Sequence, residues 1–81
     1  MNLPRDLGGE RLIGVLCRHW GYRRVNQVGS HVVLETDAPF RQRIVIPAHK
    51  SLRLGTLNAI LRSVATHKSV AKNDIIKTIR E

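Results

Sequence analysis

The stretch GGERLIGVLCRHWGYRRVNQVGSHVVLET, residues 8–36, changes from a helical hydrophobic period to an alternating one. In its first half the apolar side chains recur at helical spacing, and charged side chains fall between them. The apolar stripe consists of Leu12, Ile13, Val15, Leu16 and Trp20. Gly8 is an acceptable N-cap, and Gly21 ends the helix because glycine takes the left-handed cap conformation at no steric cost. This half therefore predicts one amphipathic helix between these two glycines.

The second half of the stretch predicts a β-hairpin. Strand-like runs cover residues 22–28 and 30–36, and Gly29 alone separates them. So tight a connection is typical of two adjacent antiparallel strands. Turn residues at 37–39 then precede a third strand-like run at 40–47, which closes with a proline that has no N–H to donate. Together these runs predict a three-stranded antiparallel sheet.

Two further helices are predicted after the sheet. A basic loop at 48–53 leads to apolar residues at helical spacing over about 55–65. The polar segment 66–69 is interpreted as a turn, and the rest of the chain, to Glu81, as a short final helix. The order helix, three strands, helix, helix predicts an α+β fold with its helices on one face of the sheet. Double-stranded-RNA-binding domains have this arrangement.

The composition is that of a small and strongly basic chain. Its 81 residues suffice for one domain, 1–81, and 14 Lys and Arg against 6 Asp and Glu give a formal net charge of +8. A basic field of this size attracts polyphosphates, and phosphates provide most nucleic-acid affinity. The charge favours contact with nucleic acid. A ribosomal-type structural protein and a basic surface without a partner stay open.

The sequence lacks the residue patterns of disulfides, metal sites and membrane or secretory segments. Cys17 is the single cysteine, so we expect no internal disulfide, and its place in a helical stripe predicts packing rather than reactivity. The acidic residues form no cluster of the kind that two-metal nucleases use, so we expect no metal and no cofactor. No apolar run is long enough for a secretory signal or a membrane span, which predicts a cytoplasmic protein without membrane contact.

Five motifs occur in an order and spacing that resemble the HicA toxins. They are Gly8-Gly9-Glu10-Arg11-Leu12-Ile13, Gly21-Tyr22, Gly29-Ser30-His31, Ile46-Pro47-Ala48-His49 and Gly55-Thr56-Leu57-Asn58-Ala59-Ile60-Leu61. The resemblance extends over nearly the whole chain. One departure is that the family often has Arg-Gln ahead of Gly-Ser-His, whereas this chain has Asn26-Gln27.

The resemblance implies an activity and a partner. Members of the family are ribonucleases that cleave messenger RNA, and a cognate HicB antitoxin holds them inactive. By position, the essential histidine of the family falls on His31, and Gly29 and Ser30 shape the turn before it. We therefore expect RNA as substrate, a HicB-like antitoxin as partner, and an oligomer when the two proteins are bound.

The chemistry of RNA cleavage is compatible with these residues. RNA carries its own nucleophile, the 2′-hydroxyl, so the enzyme has only to move protons and stabilise charge on the phosphate. Histidine titrates near neutral pH and can act as general base or general acid, which makes His31 the candidate catalyst. The residues predicted to contact the substrate are Gly29, Ser30, Arg24, Arg43, His49 and Lys50.

Several alternatives stay open at this stage. The arginines of the strands can line an RNA groove or form a merely solvated edge, and His49 can bind phosphate or cap the second helix. His19 and His67 are interpreted as solvated. A non-catalytic RNA-binding module of the double-stranded-RNA-binding type fits the size and charge equally well but gives His31 no role. An inactive relative of the toxins is the third possibility.

Overall fold

A computed structural model describes residues 3–80 of the chain and contains three helices and three strands. In chain order they are α1 (Gly9–His19), β1 (Arg23–Val28), β2 (His31–Thr36), β3 (Gln42–Pro47), α2 (Leu54–Lys68) and α3 (Lys72–Arg80). This order confirms the predicted α+β class and the helix–sheet–helix–helix arrangement. Within residues 3–80, no helix is long and apolar enough to cross a membrane.

The sheet is antiparallel, with the strand order β1-β2-β3. In β2, Val32 and Leu34 are fully buried, and side chains alternate across a strand. His31, Val33 and Glu35 therefore lie on the opposite side, which we call the open face of the sheet. The helices cover only the other side, as the sequence predicts.

The core lies between the three helices and the covered face of the sheet. Its fully buried members include Leu12, Leu16, Val32, Leu34, Ile46, Leu57, Leu61, Val64 and Ile75. Two side-chain hydrogen bonds join α1 and its C-cap residue to α3. Trp20 Nε1, at the C-cap, donates to Thr78 Oγ1 at 3.0 Å, and Arg11 of α1 donates to the Ile79 carbonyl at 2.9 Å. The predicted apolar stripe of α1 is confirmed as the core-facing side of that helix, although Trp20 is only partly buried.

Gly9 is where α1 comes closest to the sheet. A Cβ built on Gly9 would lie 1.9 Å from the carbonyl oxygen of Pro47, so no other residue fits without moving the helix. The amide of Gly9 donates to the His49 carbonyl at 2.9 Å, which attaches the start of α1 to the loop after β3. The glycine pair in the sequence thus serves two purposes, since Gly8 is the N-cap of α1.

The hairpin and the third strand begin later than the sequence predicts. Tyr22 precedes β1, and Ser30 belongs to the turn, so Gly29 and Ser30 together form a two-residue connection. The third strand begins at Gln42 rather than at residue 40, because Phe40 and Arg41 follow the 37–39 turn without pairing to β2. At the end of α1 the prediction is confirmed, since Gly21 has a φ of +75°.

The second helix is longer than predicted, and the interpretation of residues 66–69 as a turn is wrong. α2 extends from Leu54 to Lys68, so only Ser69, Val70 and Ala71 connect it to α3. Ser69 takes the left-handed C-cap conformation, with a φ of +57°, and its amide donates to the Thr66 carbonyl. Glycine usually takes this left-handed position at the end of a helix. Because serine takes it here, the sequence does not mark Ser69 as the end of α2.

Candidate functional site

The connection between β1 and β2 places His31 at the first position of the central strand. Gly29 has a φ of +58°, a backbone conformation that glycine adopts more easily than residues with a Cβ. A Cβ on Gly29 would meet no atom within 4 Å, so the surface above the turn is open. Val28 pairs with His31 across the turn, and the His31 side chain is exposed. His31 is therefore held by a rigid strand and accessible to a ligand.

The loop after β3 brings a second imidazole to the same place. His31 pairs with Pro47, and the amide of Ala48 donates to the Ser30 carbonyl at 2.6 Å. His49 Nε2 lies 3.5 Å from the hydroxyl oxygen of Ser30, at the limit of a hydrogen bond. We call the region of Ser30, His31 and His49 the histidine end of the sheet.

His49 does not cap the second helix. The N-cap of α2 is Arg53, and no side chain accepts a hydrogen bond from the first turn of that helix. The His49 carbonyl accepts from Gly9, which fixes the backbone, while its exposed imidazole lies near Ser30. Of the two roles left open for His49, capping of α2 is therefore wrong, and contact with a phosphate stays a prediction.

Three cations without a counter-ion among the described residues lie in or beside the loop that follows His49. The side chains of Lys50 and Arg53, in the loop between β3 and α2, form no ion pair or hydrogen bond within residues 3–80. The same holds for Arg5, in the lead-in that Leu52 joins to the loop by donating its amide to the Leu7 carbonyl at 2.7 Å. Sequence reasoning selected Lys50 as a contact and placed Arg53 in the same basic loop, but it missed Arg5. The sequence carries little signal for Arg5, because this residue becomes a neighbour of the loop only through the fold.

Arg24 lies on the helix-facing side of β1 and supports the hairpin turn. It forms a two-bond ion pair with Glu10 of α1, with both distances 3.0 Å, and also donates to Gln27 Oε1 at 2.9 Å. Gln27 in turn donates to the carbonyl of Gly29 at 3.0 Å. The hydrogen bonds from Arg24 hold the pKa of Glu10 below its ordinary value. A chain of polar contacts thus runs from α1 to the turn before His31.

Arg43 lies at the opposite end of the sheet from His31. It pairs in register with Glu35, four residues along β2, and donates to Glu35 Oε2 at 2.9 Å. Arg41 reaches the same oxygen at 3.1 Å, and Arg23 reaches Oε1 at 2.6 Å. We call these three arginines around Glu35 the arginine cluster. Hydrogen bonds from Arg43 and Arg41 keep the pKa of Glu35 below its ordinary value, so the carboxylate is charged near neutral pH.

The structure therefore brings together only part of the predicted site. Gly29, Ser30, His31, His49 and Lys50 lie around the histidine end, whereas Arg24 and Arg43 are engaged elsewhere. The sequence did not reveal that one buried carboxylate, Glu35, binds three arginines.

His67 is buried, so its interpretation as a solvated residue is wrong. It is 5% exposed, because α2 continues past residue 65 and turns this side chain towards Phe40. Its Nε2 donates to the Phe40 carbonyl at 2.7 Å. His19 is exposed as expected. Cys17 is half-buried, and burial raises the pKa of its thiol, as expected of a packing residue.

The side chains that commonly bind metal ions do not converge in the described part of the chain. Residues 3–80 contain no group of three or more His, Cys, Asp or Glu side chains placed to hold a metal ion. Glu10, Glu35 and Asp37 are each engaged with arginine instead.

Fold and site together define a class: a small basic α+β protein that presents an exposed histidine directly after a glycine turn. The family model of the HicA toxin of bacterial toxin–antitoxin systems matches residues 9–65, which is most of the chain and includes the hairpin, β3 and most of α2. The chain therefore belongs to the HicA toxin family, and so to a family of toxins from toxin–antitoxin systems. No curated protein and no solved structure matches it significantly.

Proposed function

We propose that this protein is an endoribonuclease toxin that cleaves messenger RNA with His31 as a general acid or base. The observation that carries the proposal is the position of His31, exposed at the start of β2 beside Ser30 and His49, in a chain of the HicA family. General acid–base catalysis requires an imidazole that reaches the substrate from a rigid support. A strand end bounded by a tight turn is such a support.

The proposed reaction is a transesterification within the RNA. The 2′-hydroxyl loses its proton to a base, and its oxygen forms a bond to the adjacent phosphorus. The bond between phosphorus and the 5′-oxygen breaks, and that oxygen receives a proton from an acid. The products are a 2′,3′-cyclic phosphate and a 5′-hydroxyl. His31 carries one of the two proton transfers, and no metal takes part.

The surroundings of His31 supply contacts for the phosphate. His49 and Lys50 lie in the loop that reaches Ser30, and Gly29 leaves the surface above the turn open to an RNA backbone. Cations near a phosphorane stabilise the charge that builds up in the transition state. Arg24 and Arg43 stay predicted RNA contacts, and each would first have to leave its carboxylate.

The open face of the sheet suits a protein partner. Val28 is 67% exposed and Val45 is 50% exposed, and half-buried Val33 lies between their strands. Exposed apolar side chains in one patch mark interaction surfaces, and His31 pairs directly with Val28. A partner that covers this patch also covers His31. We assign the patch to a HicB-like antitoxin, whose complex with the toxin is an oligomer, and an acidic partner would gain from electrostatic steering.

Expression of the protein alone tests this function. The wild type and His31→Ala are expressed from a repressed promoter, beside His19→Ala, which removes an exposed histidine from α1. Growth arrest and loss of bulk messenger RNA are expected with the wild type and with His19→Ala, and neither with His31→Ala. Arrest by all three variants would assign toxicity to another site. Arrest by none would indicate an inactive relative or a plain RNA-binding module.

A further inference from the structure

A pocket of about 490 Å³ lies between the edge strand β3 and α2, away from the histidine end. Its lining includes Phe40, Gln42, Arg62, Ser63, Thr66 and His67, and we call it the edge pocket. Gln42 pairs with Thr36, five residues along β3 from the Pro47 that pairs with His31. At the rise of a strand, that places the edge pocket about 17 Å from His31. Neither the proposed cleavage nor the antitoxin surface uses it.

Phe40 presents an aromatic ring to the solvent at the mouth of the edge pocket. The side chain is 62% exposed, which is unusual for phenylalanine in a protein with so thin a core. Its ring makes an edge contact with His67, with centroids 4.4 Å apart and planes at 63°. The imidazole supports the ring on one side, and the rest of the ring is free to stack on a ligand.

His67 forms part of the pocket wall, and a hydrogen bond to the Phe40 backbone fixes its imidazole. Because a carbonyl only accepts, the 2.7 Å bond to Phe40 requires that Nε2 carries the proton. In the neutral ring Nδ1 is then an acceptor, and it is buried with no partner within residues 3–80. Nδ1 has no surface open to the pocket, so a ligand would form its hydrogen bonds with the Thr66 hydroxyl instead. A hydroxyl both donates and accepts, which suits the N–H and carbonyl groups of a nucleobase.

Polar groups and a free cation complete the lining. The side chains of Arg62 and Thr66 form no hydrogen bond or ion pair with the described residues, and both are exposed on α2. Arg62 can pair with a phosphate, and a stacked ring with nearby polar groups is how proteins hold single RNA bases. Of the other two aromatic residues, Tyr22 is buried and Trp20 is hydrogen-bonded to Thr78 of α3, so a single base rather than a run of bases can stack here.

The exposed side of α2 connects the two ends of the molecule. Gly55, Ala59 and Arg62 follow one another at helical spacing, and all three are exposed. A Cβ on Gly55 would meet no atom within 4 Å, so the beginning of this side is unobstructed. Arg53 precedes it, in the loop that follows His49. A strand of RNA that leaves His31 can therefore follow the small residues of α2 to Arg62.

From this arrangement we propose that the edge pocket binds one nucleobase of the RNA whose backbone is cleaved at His31. The base stacks on Phe40 and forms a hydrogen bond with the Thr66 hydroxyl, while Arg62 pairs with a neighbouring phosphate. The inference rests on the proposed function for its substrate class. It adds that affinity depends on RNA length, because a dinucleotide at His31 is too short to reach Phe40.

Binding is measured on the His31→Ala protein, which separates it from cleavage. The probes are end-labelled single-stranded RNAs, from a dinucleotide to an oligonucleotide long enough to span the 30 Å molecule, followed by fluorescence anisotropy. In this background, Phe40→Ala and Phe40→Leu should raise the Kd of the longest RNA about tenfold and leave the dinucleotide unchanged. Phe40→Trp should retain the affinity. Because Phe40 is exposed, these variants should keep the fold, which circular dichroism verifies.

Arg62→Ala has a matched control in Lys77→Ala. Both substitutions remove one exposed and unpaired positive charge, but Lys77 lies on α3 and does not line the pocket. Arg62→Ala should weaken binding of the longest RNA several-fold more than Lys77→Ala does. Equal affinities of the Phe40 variants and their parent at every length would overturn the proposal. So would loss of antitoxin binding with unchanged RNA binding, because the pocket would then be a protein contact.

The two proposals fail in different ways. If wild-type protein does not cleave RNA, but the affinity of the His31→Ala protein still depends on Phe40, only the nuclease function is wrong. If the wild type cleaves and Phe40 has no effect at any length, only the edge pocket is wrong.

Discussion

At the scale of single residues, backbone conformation determines which residue fits at position 29, and burial determines the pKa of Tyr22. The Gly-Ser-His motif predicted a tight turn, and the structure gives the turn a glycine with a φ of +58°. The exposure of His31 was also predictable, because a residue next to such a turn has few neighbours. The burial of His67 was not, because it depends on where α2 ends and on Phe40, which is distant in sequence.

Replacing Gly29 by alanine should destabilise the protein by about 1 kcal/mol, because an L side chain resists the left-handed conformation. The space around Gly29 is empty, so backbone strain is the whole cost. Gly29→Asn is the matched variant, because asparagine tolerates positive φ better than alanine does. It should destabilise the protein by only a few tenths of the loss expected for Gly29→Ala. Chemical denaturation measures both. Equal losses would show that the turn is not held in this conformation.

The single tyrosine gives a direct test of burial. Desolvation raises the pKa of Tyr22 to about 12, against about 10 for an exposed phenol. The unfolded chain therefore loses this proton first, and stability should be complete below about pH 10 and fall as pH rises towards 12. Ultraviolet absorbance of the phenolate measures the titration in folded and denatured protein. A folded-state midpoint near 10 would mean that Tyr22 is exposed.

At the scale of elements, the contact between α1 and β3 decides where the histidine end forms. Gly9→Ala would place a Cβ 1.9 Å from the Pro47 carbonyl, a backbone atom that cannot turn away. We expect a loss of about 2–3 kcal/mol, the upper range for overpacking. Because Gly9 also donates to the His49 carbonyl, RNA cleavage should fall as well.

Gly14→Ala is the control for this prediction. It lies in the same helix, and a Cβ there meets only the end of the flexible Arg18 side chain, at 3.1 Å. The substitution should be neutral or stabilising by up to about 1 kcal/mol, because alanine is the better helix former. Thermal unfolding of the two variants compares them. A similar loss for both would mean that α1 does not approach Pro47 so closely.

Element types were predictable because each has its own hydrophobic period, but several boundaries were not. Gly8 and Gly21 mark the ends of α1 correctly, since glycine signals a cap. Ser69 ends α2 in the left-handed conformation without such a signal, and the three polar residues before it are helical. Residues 66–68 are held by tertiary contacts, including the hydrogen bond of Lys68 to Thr36 Oγ1 at 2.9 Å.

At the scale of the whole molecule, the distribution of charge matters more than its sum. The formal charge of +8 predicts affinity for nucleic acid but not its location. In the fold, Glu35 and Asp37 engage the arginine cluster, and the cations in or beside the loop that follows His49 keep no counter-ion within residues 3–80. This separation of paired from unpaired cations could not be predicted from the sequence. The paired residues are distant in sequence, and only the strand register brings them together.

Salt dependence of RNA binding measures this separation. In the His31→Ala background, Lys50→Gln should reduce the slope of log affinity against log salt by about 0.7, the contribution of one phosphate contact on a single strand. Arg23→Gln removes the same charge from the arginine cluster and should leave the slope unchanged, because Glu35 and Asp37 already pair with Arg23. Equal changes in slope for the two variants would show that RNA affinity depends on net charge and not on the position of each charge.

The most direct measurement of the central claim is cleavage of a synthetic RNA by the purified protein, with identification of the new ends. We predict cleavage that a chelator does not affect, 2′,3′-cyclic phosphate and 5′-hydroxyl ends, and a loss of about 10²–10⁴-fold in rate for His31→Ala. A chelator-sensitive reaction, a 3′-hydroxyl product, or an undiminished rate for His31→Ala would contradict the assignment of His31 as the catalyst.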